Sequence, residues 1–338
     1  MRPRDFIIVG AVVLIAGFAA ADALRGRAGA PKTASPETTA LQTTPTRLPG
    51  PTPQPDAPEG WPVGTLEGSV VFTNASDCRV RVIGLSGGTE RPVARFLGNC
   101  DLWVPPAGER IAYALGPPSG DGLTPFKLAD LARPNADLGG FRALFGVVLW
   151  SPDGQRVAWC GRRRTGYDLA VGGPVRRLPT CPVAYTSDSK IAYAFGNKLL
   201  VEDATILRAG GGITYAHFGT DGSVAIVVDG KRLERYDGAG DLTASADIPE
   251  GRTPILSPRN CAALFKPFQG YGRIRFVELG CYHGRELRDL SGSDAAWSPD
   301  GTWVAVAEAE SISFHPVAVS GQTITWPAGA ADVAWRPR

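Results

Sequence analysis

Apolar and polar residues of this chain alternate in a unit that recurs along its length. Each copy has a short apolar strand, a turn carrying Ser-Pro-Asp-Gly or a variant of it, and a strand of alternating small and apolar residues. The copies begin at Leu102, Leu149, Ala184, Ala216, Ile255 and Ala296, at spacings of 47, 35, 32, 39 and 41 residues. A period of about 40 residues is typical of one four-stranded blade of a β-propeller.

The opening strand of the unit appears once more in Asp332-Val-Ala-Trp-Arg-Pro-Arg338, with no second strand after it. Three apolar segments ahead of the first copy, residues 68–73, 79–85 and 91–96, lack an opening strand. Pairing the C-terminal strand with them would close the ring and remove the exposed sheet edges. We therefore predict an all-β fold, a seven-bladed β-propeller over residues 65–338. Six or eight blades are the alternatives, because the long loops between residues 116 and 145 are difficult to align.

The turn and a recurring tryptophan support this alignment. Proline fixes φ at the first corner of the turn, aspartate bonds the nearby backbone, and glycine accepts a positive φ. A tryptophan precedes the turn at equivalent places in four copies, as Trp103, Trp150, Trp297 and Trp335. We expect these indoles to pack between neighbouring blades, and the alternative is that they stack on a ligand.

The first residues predict export. Residues 6–21 carry no charge, and Arg2 and Arg4 precede them. Extended to Leu24, this stretch is long enough to span a bilayer, and the positive-inside rule places the rest outside the cytoplasm. We predict that residues 1–24 are a signal-anchor, giving a single-pass cell-membrane protein with an extracytoplasmic C-terminal domain. A cleaved signal peptide and a secreted protein are the alternative. Residues 25–64, with nine prolines and seven threonines, are predicted to be a disordered linker.

The six cysteines form three pairs of short spacing: Cys78 with Cys100, Cys160 with Cys181, and Cys261 with Cys281. Each pair fits within about one blade. Six cysteines allow fifteen connectivities, so the spacing alone does not prove these pairings. Strand geometry favours the first and third pairs, because antiparallel neighbours bring the start of one strand beside the end of the next. We expect structural disulfides rather than a metal site, since no Cys-x-x-Cys occurs and an exported protein meets an oxidising environment.

Composition narrows the function classes. The 42 Gly and 29 Pro residues disfavour a mostly helical protein, and a net charge of +2 disfavours nucleic acid as a partner. The three histidines show no ligand spacing, and we expect no metal and no cofactor. Gly84-Leu-Ser-Gly-Gly88 matches the Gly-x-Ser-x-Gly nucleophile pattern around Ser86, but no helix is predicted after it. The Asp-Gly pairs at 153, 221 and 300 are interpreted as turn residues rather than calcium ligands.

The Trp-Ser-Pro-Asp-Gly copies at 150–154 and 297–301, with the run Tyr167 to Leu178, resemble the propeller repeats of the TolB-like family. The resemblance covers residues 65–338 and is specific for the fold rather than for a function. It implies a periplasmic or surface propeller that binds other proteins. The α/β domain that precedes the propeller in that family has no counterpart here, because the linker occupies its place.

One charged cluster is a candidate binding site. Arg162, Arg163 and Arg164 follow the second strand of the third blade, and Arg176 and Arg177 lie close in sequence. Guanidinium groups suit the paired oxygens of phosphates and carboxylates. We interpret these five residues as a tentative surface for an envelope or membrane protein, or for an anionic polymer. A solvated loop is the alternative.

Three functions follow from this sequence. The first is a non-enzymatic, monomeric interaction module that presents one propeller face to a partner. The second is a receptor for a small ligand or glycan, and the third is a propeller enzyme. A flat arginine-rich face would favour the first, whereas a cavity with paired carboxylates at the channel mouth would favour the third.

Overall fold

The computed structural model describes Trp61 and residues 65–95, 100–133, 136, 138–144, 148–268, 270–280, 289–317 and 322–337. The predicted signal-anchor, residues 1–24, and all of the predicted linker except Trp61 lie outside these residues. Within the described ranges, no helix combines the length and apolar character needed to cross a membrane.

The described residues form seven antiparallel sheets of four strands each. Blade 1 contains β1 (Ser69–Asn74), β2 (Arg79–Gly84) and β3 (Thr89–Arg95); blade 2 contains β4 (Leu102–Trp103), β5 (Arg110–Ala114), β6 (Leu123–Asp130) and β7 (Gly140–Leu144). Blade 3 contains β8 (Val148–Trp150), β9 (Arg156–Cys160), β10 (Gly166–Ala170) and β11 (Val175–Leu178); blade 4 contains β12 (Pro182–Tyr185), β13 (Ile191–Phe195), β14 (Lys198–Val201) and β15 (Ala204–Arg208).

Blade 5 contains β16 (Ile213–Phe218), β17 (Val224–Val228), β18 (Arg232–Tyr236) and β19 (Leu242–Asp247). Blade 6 contains β20 (Arg252–Leu256), β21 (Ala262–Pro267), β22 (Gly272–Glu278) and β23 (Leu290–Gly292); blade 7 contains β24 (Asp294–Trp297), β25 (Trp303–Ala307), β26 (Ile312–Pro316) and β27 (Ile324–Trp326). The remaining strand, β28 (Ala330–Arg336), belongs to blade 1.

The ring closes as the sequence predicts. Strand β28 pairs antiparallel with β1, so that Trp335 lies opposite Val70 and Ala334 opposite Val71. It is the innermost strand of blade 1, and it contacts the innermost strands of its neighbours, β24 and β4. The seven-bladed prediction is confirmed, and the alternatives of six or eight blades are wrong.

The Ser-Pro-Asp-Gly turns have the geometry expected of them. In blade 3, the Ser151 hydroxyl donates to Asp153 Oδ1 over 2.5 Å, and the Gln155 amide donates to the same oxygen over 3.0 Å. These bonds, led by that of Ser151, hold the pKa of Asp153 below its usual value. Gly154 has φ of +65°, and a Cβ there would lie 2.2 Å from the Ala107 carbonyl oxygen of blade 2. Glycine is therefore required both by the turn and by the close approach of two blades.

The recurring tryptophans pack within and between blades. Trp150 Nε1 donates to the Trp103 carbonyl oxygen over 3.0 Å, and Trp297 Nε1 donates to that of Ile255 over 3.1 Å. Each of these bonds reaches the innermost strand of the preceding blade. Trp335 Nε1 donates to the Glu67 carbonyl oxygen over 2.9 Å. These three indoles are buried, as expected for packing residues rather than for a stacking platform.

Trp61 corrects the extent of the predicted linker. Its side chain is buried, and its Nε1 donates to the Leu85 carbonyl oxygen over 2.9 Å. Its ring meets those of Phe314 and Trp326 edge to face, at centroid distances of 5.8 and 5.0 Å. The prolines around Trp61 gave no indication that its side chain is buried. Trp61 belongs to the core shared by blades 1 and 7.

Two predicted disulfides are present. Cys78 is bonded to Cys100 and Cys160 to Cys181, with Cα atoms 4.8 and 4.9 Å apart. Cys261 is also disulfide-bonded, and its predicted partner, Cys281, lies outside the described residues. Both described bridges join the start or end of a middle strand to the connection that leads into the next blade.

We predict that Trp335→Ala destabilises the protein by about 3–5 kcal/mol, because it removes a large buried side chain from the closing strand. Equilibrium urea unfolding measures the change in free energy. Phe195→Ala is the control, since Phe195 is 73% exposed and its removal should change stability by less than about 0.5 kcal/mol. Equal effects of the two substitutions would contradict a closure held by packing.

We predict that the double substitution Cys160→Ser and Cys181→Ser lowers the free energy of unfolding by about 3 kcal/mol, the chain-entropy value for a loop of this length. The same urea experiment, run without reductant, measures it. Adding reductant should lower the free energy of unfolding of the wild-type protein, and it should lower that of the double variant by less. A variant as stable as the oxidised wild type would refute a structural role.

Candidate functional site

The propeller has two faces that differ in their side chains. Because the four strands of a blade are antiparallel, loops after the first and third strands lie on one face, and all other connections lie on the opposite one. We call the first the turn face, since it carries the Ser-Pro-Asp-Gly turns. We call the second the inter-blade face, since the connections between blades lie there with the loops from second to third strands.

Three of the predicted arginines lie on the inter-blade face. Arg162–Arg164 form a short 3-10 turn between β9 and β10, and all three side chains are exposed. Arg163 and Arg164 have φ of +57° and +55°, a conformation that non-glycine residues seldom adopt. The Cys160–Cys181 bridge begins two residues before this turn. We name Arg162–Arg164 the arginine loop.

Arg176 and Arg177 do not extend the arginine loop as one cluster. They are adjacent on the outer strand β11, so their side chains point to opposite faces of the blade. Arg176 forms an ion pair of 3.2 Å with the buried carboxylate of Asp168, which also binds Arg156 and accepts a 3.0 Å bond from the Tyr185 hydroxyl. The five arginines stay a predicted binding surface, of which Arg162–Arg164 form one loop and Arg176 is engaged with Asp168.

Exposed aromatic side chains also concentrate on the inter-blade face. Phe195, Phe268 and Tyr271 are 73%, 60% and 62% exposed, and all three lie at loops between second and third strands. Leu115, 43% exposed, follows β5 in the corresponding loop of blade 2. Sequence reasoning missed these residues, because a single aromatic in a short loop does not reveal whether it is buried.

A cavity of about 580 Å³ opens where the central channel meets the inter-blade face. Asp294, Asp332 and Asp101 line it from the starts of the innermost strands of three successive blades, 7, 1 and 2. Lys266 and Phe268 line it from blade 6. We name this space the mouth cavity. Its side chains come from four blades and from both sides of the closure between β28 and β1.

The charged groups of the mouth cavity are bonded to one another and to the backbone. Lys266 Nζ forms a short ion pair with Asp294 Oδ1, and the Asp294 and Asp332 carboxyl groups share a hydrogen bond. Asp294 Oδ2 accepts from the Val333 amide over 3.1 Å, and Asp332 Oδ2 accepts from the Leu102 amide over 2.8 Å. These bonds connect blade 6 to 7, 7 to 1, and 1 to 2.

The pKa values of the Asp294 and Asp332 carboxyl groups are shifted in opposite directions. Burial, and then the charge of Asp294, raises the pKa of Asp332 well above its usual value. Burial would also raise the pKa of Asp294, but the Lys266 ammonium and the hydrogen bonds outweigh it and lower that pKa. Burial opposes the charge of Lys266, yet the carboxylates of Asp294, Asp332 and Asp101 raise its pKa. Folding therefore favours the neutral form of Asp332 and the charged form of Asp294.

Part of this cluster had a signal in the sequence. Asp294 and Asp332 each stand three residues before the tryptophan that ends an innermost strand, in the copies Asp-Ala-Ala-Trp and Asp-Val-Ala-Trp. Asp101 takes the same place relative to its neighbouring strand, where its carbonyl oxygen accepts from the Ala114 amide over 3.4 Å. Asp101 stands two residues before Trp103 rather than three, so the alignment on the tryptophans did not reveal it. Paired carboxylates at the channel mouth are the feature that we associated with an enzyme.

The other end of the channel has a different chemistry. A cavity of about 590 Å³ on the turn face is lined largely by apolar side chains of the innermost strands and by five turn prolines, Pro105, Pro152, Pro258, Pro299 and Pro337. His217 is its one imidazole, and its Nδ1 lies 2.6 Å from Asn260 Oδ1. Burial lowers the pKa of His217 and keeps the ring neutral near pH 7. Among the described residues, no charged side chain lines this cavity.

The Gly-x-Ser-x-Gly match and the Asp-Gly pairs lie in turns between strands. Ser86 lies in the loop between β2 and β3, and a strand rather than a helix follows it. The aspartates of the Asp-Gly pairs bond neighbouring serines, as Asp221 does with Ser223 and Asp300 with Ser298. Across the described parts of the chain, no three His, Cys, Asp or Glu side chains are grouped to hold a metal ion.

No known protein family matches the chain, and no curated protein does. Among solved structures, the Myceliophteria thermophila Cps50 (Swd1) β-propeller domain has 12% identity over 71% of this chain and 91% of that chain, with a TM-score of 0.45. A chain of the Mitotic Checkpoint Complex has 17% identity over 86% and 99%, and a TM-score of 0.45. Kuenenia stuttgartiensis hydrazine synthase has 12% identity over 65% and 76%, and a TM-score of 0.44. We transfer no function from these distant similarities.

We predict that Asp332→Asn makes stability less sensitive to alkaline pH. Because the pKa of Asp332 is raised by folding, its neutral form stabilises the fold at low pH, and this contribution is lost as pH rises through that pKa. Asparagine stays neutral and keeps an oxygen for the Leu102 amide. Urea unfolding of both proteins between about pH 5 and pH 9 should show wild type losing stability relative to the variant. A difference that is constant with pH would refute a raised pKa of Asp332.

Proposed function

We propose that this protein is a non-enzymatic, extracytoplasmic interaction module that binds an envelope protein through the inter-blade face of its propeller. The observation that carries the proposal is the distribution of exposed large side chains. Three exposed aromatic rings and the arginine loop lie on this face, where blades 3, 4 and 6 contribute them. Aromatic and arginine side chains are the residues that most often dominate the binding energy of protein interfaces.

The turn face offers less to a partner. Among the described residues, its exposed large apolar side chains are Val175 and Leu242, each at the start of an outer strand. Neither is aromatic, and the two lie in different blades. The contrast between the faces therefore favours the inter-blade face as the docking surface.

The location outside the cytoplasm is supported by two observations. The Cys78–Cys100 and Cys160–Cys181 bridges are of the kind that persists in oxidising compartments. The apolar residues 6–21 with Arg2 and Arg4 ahead of them have the pattern of a membrane signal-anchor. In this proposal, residues 1–24 hold the protein at the cell membrane and the linker carries the propeller away from it, as a monomer. The resemblance to TolB-like repeats points to the same location.

The paired carboxylates of the mouth cavity do not lead us to propose an enzyme. Asp294 binds Lys266 and the Val333 amide, and Asp332 binds Asp294 and the Leu102 amide. Both carboxyl groups are therefore occupied by contacts that join neighbouring blades. A general acid or base instead needs a proton that it can exchange with a bound substrate.

Site-specific photocrosslinking in the native host tests the proposal. A photoreactive phenylalanine analogue at position 195 or 268 should crosslink to one envelope protein. The same analogue at positions 175 and 242, on the turn face, is the matched control and should give no such product. Equal crosslinking from both faces, or none from either, would overturn the docking surface. Crosslinks to an anionic polymer alone would show that the polymer, rather than an envelope protein, is the partner.

We predict that Arg162→Glu, Arg163→Glu and Arg164→Glu together reduce the yield of this crosslink at least tenfold, because they reverse the charge of a surface loop facing the partner. The change is measured as the intensity of the product from position 195. Arg259→Glu, on an exposed turn-face loop, is the control and should leave the yield unchanged. A triple variant that crosslinks as well as wild type would show that the arginine loop lies outside the interface.

A further inference from the structure

The turn face carries two neighbouring spaces of different chemistry. We call the apolar one, of about 590 Å³, the turn-face cavity, and the smaller one, of about 270 Å³, the arginine pocket. The arginine pocket lies between blades 1 and 2, where Glu109 and Arg336 line it. Pro337 lines both spaces, and the loop from β4 to β5 lines the turn-face cavity with residues 104–106 and the arginine pocket with residues 107–109. The two spaces therefore share a wall.

Arg336 places a buried cation in the arginine pocket. Its side chain is only 8% exposed, and its Nη2 donates to the Gly108 carbonyl oxygen and lies 3.2 Å from Glu109 Oε1. Gly108 and Glu109 line the same pocket, so the guanidinium lies at its wall. The Nε atom of Arg336 is buried and has no hydrogen-bond partner among the described residues. A buried N–H group is unfavourable unless a protein group, an ion or a water satisfies it.

The ion pair with Glu109 is the contact that a ligand would replace. The Glu109 side chain is 51% exposed, and exposed ion pairs contribute little to stability because water screens them. The pair also shows that a carboxylate can reach this guanidinium. Arginine binds a carboxylate most strongly through two parallel N–H groups, as Arg156 binds Asp168 through Nε and Nη2. A ligand carboxylate on Nε and Nη2 of Arg336 would satisfy the donor that Glu109 leaves unpaired.

We propose that the turn face binds an amphipathic carboxylate of the fatty-acid type. The head group lies on Arg336 in the arginine pocket, and the apolar chain lies in the turn-face cavity. This binding site goes beyond the docking function proposed above, which uses the inter-blade face.

The turn-face cavity supplies the apolar surroundings that the chain requires. Trp150, Trp297 and Trp335 line it, together with the five turn prolines. The Nε1 atoms of the three indoles already donate to backbone carbonyl oxygens, so their N–H groups need no ligand. A volume of about 590 Å³ lies in the range of cavities that hold small ligands, and transfer of an alkyl chain from water into such a cavity is favourable.

Titration of the folded protein with octanoate, followed by tryptophan fluorescence, tests the proposal. Because three tryptophans line the turn-face cavity, entry of the chain should change their emission. Octanoate should bind about tenfold more tightly than 1-octanol, which has the chain without the charge, and than acetate, which has the charge without the chain. Equal binding of octanoate and 1-octanol would overturn the role of Arg336, and equal binding of octanoate and acetate would overturn the role of the cavity.

Two substitutions in the arginine pocket should change octanoate binding in opposite directions. Arg336→Gln removes the charge and should weaken octanoate binding about tenfold, with no change for 1-octanol. Glu109→Gln leaves the buried arginine in place and removes the competing carboxylate, so it should tighten octanoate binding and leave 1-octanol unchanged. Arg259→Gln, at an exposed arginine of another turn, is the matched control and should alter neither affinity. Unchanged octanoate binding in Glu109→Gln, or a loss in Arg259→Gln equal to that in Arg336→Gln, would refute the head-group site.

Octyl phosphate and lipid vesicles test the chemical class of the ligand. Octyl phosphate has the same chain as octanoate but a phosphate head, and it should bind no more tightly than octanoate. Tighter binding of octyl phosphate would overturn the assignment of a carboxylate. Vesicles of phosphatidylglycerol should not retain the protein during flotation when octanoate is present in excess. Retention on these vesicles without any binding of octanoate would show a membrane surface as the ligand and would refute the proposal.

Discussion

The antiparallel pairing of β28 with β1 is the interaction on which the other features depend. Each blade of the ring packs only against its two neighbours, so an open ring would leave one edge of blade 1 without a partner and two blade surfaces exposed to water. The pairing supplies the innermost strand of blade 1, with Trp335 opposite Val70. It also places β28 beside β24 and β4, and thereby completes the lining of the channel.

The closure and the mouth cavity share the same residues. Asp332 belongs to β28, and its carboxyl group reaches the Leu102 amide of blade 2, while Asp294 of blade 7 reaches the Val333 amide of β28. A carboxyl group in such a place binds backbone amides that would otherwise lack partners, but a second negative charge beside it is unfavourable in a setting of low polarity. The raised pKa of Asp332 favours its neutral form, which relieves this repulsion.

The sequence predicted the fold well because the signals of a propeller are local. A turn of four residues or a variant of it marks the blades, a tryptophan precedes it in four of them, and short spacing between cysteines indicated the two described disulfides. The candidate site was harder, since Asp101, Lys266, Asp294 and Asp332 come together only when the ring closes. The ion pair of Arg176 with the buried Asp168 had no signal in the sequence. Trp61 was missed because a single aromatic residue among prolines carries no periodicity.

The order in which the chain is made adds a consequence to the ring closure. Trp335 and the Glu67 carbonyl that it binds are 268 residues apart, so blade 1 is among the first blades to be synthesised and the last to be completed. Until β28 leaves the ribosome, the inner edge of β1 has no native partner. Contacts so distant in sequence form slowly, and an unpaired edge in the interval is open to other strands. Only a chain that includes β28 can therefore pair the inner edge of β1, and a chain that stops short of β28 leaves that edge exposed.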